Sequence, residues 1–231
     1  MTQFTRFNLA NLTLGLTHAF KARLQQHHKI ILKLALVGLI SSPLLAQAAK
    51  PIILVYGDSL SAAYGIAQEQ GWVVLLQHRI DEKKLNYTVI NASISGETTS
   101  GGLSRIKAAL KQHRPQWILI ELGANDGLRG LPIKEMRKNL NAMIIMSQKY
   151  KTKVILVGMK IPPNYGLKYT NDFKESYEML AKQYQLPLVP FLLDSVAGNH
   201  ELIQEDGLHP LAKAQPTVLN NIWDILKDVI K

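Results

Sequence analysis

The chain has no cysteine in 231 residues, which excludes disulfide staples, thiolate metal sites and cysteine nucleophiles together. Stability therefore has to come from packing. Charge is sparse, at 19% of residues against 47% apolar, and thinner on the acidic side, with 17 Asp and Glu to 27 Lys and Arg. The apolar run Leu34 to Leu45 falls short of the about 20 residues a membrane-spanning helix needs. There is no P-loop and no Gly-x-Gly-x-x-Gly, which argues against nucleotide binding, and no Gly-x-Ser-x-Gly elbow, which argues against the α/β-hydrolase fold. His-Glu-x-x-His is missing, and His78, His113, His200 and His209 offer no pair at ligand spacing. No metal or cofactor is expected. No stretch repeats, no linker divides the chain, and no segment is of low complexity.

The first fifty residues are a separate object. Arg6, Lys21, Arg23, Lys29 and Lys33 stand there without an acid, followed by the apolar run and then Ala46-Gln47-Ala48. Basic region, short apolar region and small-x-small site in that order describe a signal peptide cleaved after about Ala48. The expected division is signal peptide 1–48 and one domain over 49–231, exported to the bacterial periplasm or outside the cell. Five of the 27 basic residues and none of the acids lie in 1–48, so the net charge falls from +10 to +5 without them. Lysine clusters such as Lys149, Lys151 and Lys153 have no interleaved aromatics and read as solvated helix faces. No nucleic acid is expected as a partner, and no obligate protein partner is implied.

Within 49–231 the residue pattern alternates. Ile52 to Tyr56 is a continuous apolar run closed by Gly57-Asp58, which reads as a strand buried on both faces of a parallel sheet. Tyr87 to Ile90, Trp117 to Ile120, Val154 to Val157 and Leu186 to Phe191 are four more strand candidates. Helical spacing lies between them: Trp72 to Ile80, a stretch with Leu103, Ile106 and Leu110 on one face, Pro132 to Tyr150, and a segment carrying Phe173, Tyr177, Leu180 and Tyr184. A last helix holds Val218, Ile222 and Leu226. Five strands alternating with helices predict a three-layer α/β/α sandwich around a five-stranded parallel sheet.

In such a sheet the loops after the strands share one edge, where ligands bind. Unusual clusters fall on four of these loops: Gly57-Asp58-Ser59, Ser95-Gly96, Gly123-Ala124-Asn125-Asp126, and Asp206-Gly207-Leu208-His209. Taken singly each reads as turn or cap chemistry; their joint placement favours acyl transfer. A serine hydroxyl needs an imidazole to take its proton, and the imidazole needs a carboxylate to fix its tautomer. Ser59, His209 and Asp206 fill those roles. Oxyanion donors are expected from the backbone N–H groups of Ser59 and Gly96 and the amide of Asn125, with Gly96 letting its backbone approach closely.

On these four blocks the chain resembles the SGNH (or GDSL) hydrolases, named for the serine, glycine, asparagine and histidine matched by Ser59, Gly96, Asn125 and His209. The resemblance is closer still to the branch of bacterial periplasmic multifunctional acyl-CoA thioesterases, lysophospholipases and arylesterases. Asn91-Ala92-Ser93-Ile94-Ser95-Gly96, Glu121-Leu122-Gly123, Asn125 to Gly130 and Pro163-Asn164-Tyr165-Gly166 have counterparts there. Ala124 stands where relatives often have glycine. The resemblance implies a flavodoxin-like sheet, a shallow site without metal or cofactor, and hydrolysis of small-molecule acyl esters, thioesters or lysophospholipids, with transient lipid contact. It also implies a loop at Gly127 to Leu131 that shifts as an acyl chain binds, its two glycines permitting movement and Leu128 and Leu131 covering the chain. Two alternatives stand beside this expectation: a carbohydrate O-acetylesterase using the same site, and a catalytically silent binding protein on the same scaffold.

Overall fold

A computed structural model describes residues 49–230; the expected signal peptide, 1–48, lies outside the described residues. Five strands, β1 (Ile52–Gly57), β2 (Thr88–Asn91), β3 (Trp117–Glu121), β4 (Lys153–Val157) and β5 (Leu188–Val189), form one sheet in the order β2-β1-β3-β4-β5. Every pairing is parallel, with Ile53 opposite both Val89 and Trp117. The expected strands and their orientation are thus found. β1 and β3 are central and apolar on both faces because both faces are covered: Ile53 to Tyr56 and Ile118 to Ile120 have no solvent exposure.

The helices are α1 (Trp72–Glu82), α2 (Thr99–His113), α3 (Ala124–Leu128), α4 (Ile133–Lys149), α5 (Leu167–Tyr184) and α6 (Gln215–Leu226). α1 packs on α6, and α4 packs between α2 and α5, which supplies the two outer layers. The apolar positions read at helical spacing, Met136, Leu140, Met143 and Ile144 on α4 and Val218, Ile222 and Leu226 on α6, all face the core.

Two elements depart from the sequence expectation. β5 keeps only two of the residues Leu186 to Phe191, since Pro187 and Pro190 flank Leu188–Val189 and neither can donate to the ladder. Asn125-Asp126-Gly127, which reads singly as a turn, lies inside the short α3 (Ala124–Leu128) behind Gly123, whose φ of +123° starts it.

β1 and β3 are neighbours whose connections leave in opposite directions, β1 toward β2 and β3 toward β4. Between such strands the loops part and open a crevice. Ser59 follows β1 and Asn125 follows β3, so both border that opening.

Candidate active site

The β1 strand ends in Gly57 and the chain turns at once, with the Ala62 N–H donating to the Asp58 carbonyl at 3.0 Å and the Tyr64 N–H to the Ser59 carbonyl at 3.2 Å. Ser59 stands half-buried on this turn. His209 arrives 150 residues later, on a loop closed by the Gln204 N–H to the His209 carbonyl at 2.7 Å. Its Nε2 lies 2.8 Å from Ser59 Oγ and its Nδ1 lies 2.6 Å from Asp206 Oδ2. With Nδ1–H donating to the carboxylate, Nε2 is left to accept the serine proton.

Asp206 does more than meet the ring. Its Oδ1 accepts the backbone N–H groups of Leu208 and His209 at 2.9 and 3.0 Å, so one carboxylate fixes both the loop and the imidazole. Burial alone would push Asp206 up, but those N–H donors and the ring hold its carboxyl below the ordinary carboxylate value.

Two residues that sequence reasoning did not single out join the serine and histidine loops. The Tyr64 ring lies against His209, centroids 4.5 Å apart. Gln204 donates through Nε2 to the carbonyls of Tyr64 and Pro210 at 2.9 and 3.1 Å. Their signal is weak because a lone Tyr or Gln in a loop carries no pattern.

The loop bearing Gly96 is tied to the serine turn: Ile94 N–H donates to the Gly57 carbonyl at 3.0 Å, Gly57 N–H to Ser93 Oγ at 3.1 Å, and Asn91 Nδ2 to the Ser61 carbonyl at 2.7 Å. Gly96 itself has φ +77°, and a Cβ there would meet only Arg129 Nη2, at 3.8 Å. The glycine is thus demanded by the left-handed backbone rather than by crowding in the free site. Arg129 donates to the Gly96 carbonyl at 3.0 Å, which links this loop to the end of α3. Asn125, on α3, donates through Nδ2 to Asp58 Oδ2 at 3.1 Å; the amide's second N–H is not engaged by that bond.

Ser59, Asn125 and His209 line a cleft of about 460 Å³ whose walls are mainly apolar, among them Leu128, Ile161, Phe191, Leu193 and Ile203. Leu128 lines it as expected. Leu131 does not; it stands outside, half in solvent. The expected freedom of the segment Gly127 to Leu131 is also narrower than its glycines suggest. A Cβ on Gly127 would come within 2.7 Å of Ile161 and Phe173, so that glycine serves close packing. Tyr165 and Tyr169 donate to the carbonyls of Leu128 and Leu131 at 2.8 and 2.7 Å. Among the described residues, no three His, Asp or Glu side chains gather as a metal site.

This arrangement can move a proton from a hydroxyl to an imidazole beside an apolar cleft that the Asn125 amide also lines. A model of the GDSL-like Lipase/Acylhydrolase family matches residues 55–215. Esterase TesA of Pseudomonas aeruginosa is 44% identical over 198 residues, covering 85% of this chain and 98% of that protein. Thioesterase 1/protease 1/lysophospholipase L1 of Escherichia coli K12 is 39% identical over 171 residues, 74% of this chain and 81% of that one. Among solved structures, the psychrotrophic esterase EstA from Pseudoalteromonas, inhibited by monoethylphosphonate, superposes with a TM-score of 0.74 at 46% identity, covering 77% of this chain and 97% of its own.

Proposed function

The chain belongs to the GDSL-like lipase/acylhydrolase family, and we propose that it is an exported serine hydrolase that cleaves small-molecule acyl esters and thioesters through an acyl-enzyme on Ser59. The observation that carries this reading is the continuous line from Ser59 Oγ through the His209 ring to Asp206, with contacts of 2.8 and 2.6 Å.

His209 Nε2 takes the hydroxyl proton as Ser59 Oγ attacks the acyl carbon, and Asp206 stabilises the resulting imidazolium. The Ser59 and Gly96 N–H groups and the Asn125 amide receive the oxyanion; each such donor typically contributes about 2.7 to 4 kcal/mol to the transition state. Collapse of the tetrahedral intermediate breaks the ester or thioester bond, and the imidazolium returns its proton to the leaving alcohol or thiol. Water, deprotonated by the same imidazole, then releases the acid and restores Ser59. The apolar walls of the cleft favour acyl chains over the polar acyl acceptors of a carbohydrate esterase. The relative named thioesterase 1/protease 1/lysophospholipase L1 points to thioesters and lysolipids as substrate classes, the latter with transient contact at a lipid surface. The test is Ser59→Ala assayed on p-nitrophenyl acyl esters: hydrolysis is expected to vanish with the circular dichroism spectrum unchanged. Retained hydrolysis would overturn the assignment.

A further inference from the structure

Beneath Ser59 lie two carboxyl groups that the hydrolytic reading leaves unused. Asp58 and Glu121 are both without solvent exposure, and among the described residues no lysine or arginine forms an ion pair with either. Two carboxylates buried together without a cation do not both ionise near neutrality. The donors around them say which one keeps its proton.

Asp58 has a donor on each oxygen, Leu60 N–H on Oδ1 at 3.0 Å and Asn125 Nδ2 on Oδ2 at 3.1 Å. That is the pattern of a carboxylate. Glu121 receives both of its donors on Oε2, the Ser61 hydroxyl at 2.7 Å and the Asp58 N–H at 3.2 Å. Its Oε1 is buried without a hydrogen-bond partner, so a charge on Glu121 would be stabilised at one oxygen only, against two in Asp58, and the shared proton rests on Glu121 with Oε2 as its accepting carbonyl. The carboxyl is pressed on the turn itself, since a Cβ on Gly57 would fall 2.3 Å from Oε2. Burial pushes Asp58 up to about 6, and burial with the Asp58 charge pushes Glu121 well above the carboxylate range. The other titratable groups facing the pair are His209, Asp126 from α3 and Tyr177 from α5. Asp126 is held by Thr99, and Tyr177 donates to the Leu122 carbonyl.

We propose that Glu121, as an uncharged acid, and Asp58, as a carboxylate, are positioning residues of this site: Glu121 clamps the serine turn, and Asp58 aims the Asn125 amide at the oxyanion. Keeping Glu121 neutral spares the developing oxyanion a negative charge below it. The Asp58 charge faces His209 and favours the imidazolium that the reaction creates. This inference rests on Ser59 being the nucleophile, and its test separates the two.

Infrared difference spectra of wild type minus Glu121→Gln at neutral pH are expected to show the C=O stretch of a protonated, buried carboxylic acid; carboxylate bands in its place would overturn the inference whatever the enzyme hydrolyses. Kinetics on p-nitrophenyl butyrate, normalised to sites titrated with a fluorophosphonate, give the second arm. Glu121→Gln, which keeps an acceptor for both donors, is expected to hold kcat within about threefold, while Glu121→Ala orphans those donors and lowers kcat about tenfold or more with less change in KM. Equal losses in the two variants, or an unchanged kcat per titrated site in Glu121→Ala, would refute the positioning role. A wild type inactive on esters would count against the serine hydrolase reading and leave the infrared result standing.

Discussion

At Asp206 the carboxylate is braced rather than buried. Its side chain is 38% exposed, so its charge is partly screened by solvent, yet three nitrogens of the loop hold it: the two backbone N–H donors on one oxygen and the ring on the other. Because its folded pKa lies below the unfolded value, the stabilisation it gives is present above the unfolded value and is lost as pH falls through the folded one. Over mildly acidic and neutral pH Asp206 therefore stays ionised and the brace does not titrate. Asp206→Asn should keep the backbone donors on its amide oxygen but present an N–H to Nδ1, turning His209 to the tautomer that cannot accept from Ser59. We expect kcat to fall on the order of a thousandfold, short of the roughly ten-thousandfold loss where such an aspartate is buried. Steady-state kinetics from mildly acidic to mildly alkaline pH check this; a loss below tenfold would mean that the carboxylate does not set the tautomer.

Thr98 caps α2 by accepting the Gly101 N–H at 3.3 Å, and a residue on another element adds to that start. Asp126 of α3 accepts the Thr99 N–H at 2.8 Å and the Thr99 hydroxyl at 2.6 Å, placing a buried carboxylate at the N-terminus of α2, where the helix dipole favours it. Asp126→Ala leaves those donors without a partner and should lower stability by about 2 kcal/mol. Urea unfolding measures it, and Thr99→Ala should cost less in the Asp126→Ala background than in wild type; additive costs would mean that the pair is not coupled. This cap also marks the boundary of what the sequence discloses. β1, β3 and β4 announce themselves as unbroken apolar runs, and Asp206 and His209 as neighbours three residues apart, because in each case the signal is local. Asp126 reads as turn chemistry, since Thr99 lies 27 residues away. Tyr64, Gln204 and Arg129 acquire their roles only when the sheet brings distant loops together. Glu121 did carry a signal, an acid closing a wholly buried strand beside the nucleophile's strand, and it reads as a site residue once the pairing of Gly57 with Glu121 is known.

The folding unit begins just ahead of β1, at Lys50. β1 is the strand from which the sheet grows on both sides, and its first contacts are the Thr88 N–H to the Pro51 carbonyl at 3.0 Å and the Gln116 N–H to the Ile52 carbonyl at 2.9 Å. The core then runs from Ile53 to Ile230, and Lys50–Lys231 is one compact unit. A cut after Ala48 leaves Ala49, Lys50 and Pro51 ahead of β1, enough to keep the Pro51 carbonyl in the ladder. We therefore expect a chain of residues 49–231 to unfold in urea in a single cooperative transition and to hydrolyse p-nitrophenyl esters with the kcat of the full-length chain. N-terminal sequencing of protein recovered from the periplasm or medium of an expressing bacterium is expected to begin at or near Ala49. Cleavage within or beyond β1 would contradict this, because losing Ile53 or Leu54 removes side chains of the central strand; burying one such residue contributes about 1.5 to 3 kcal/mol, against the 5 to 15 kcal/mol that holds a domain of this size folded.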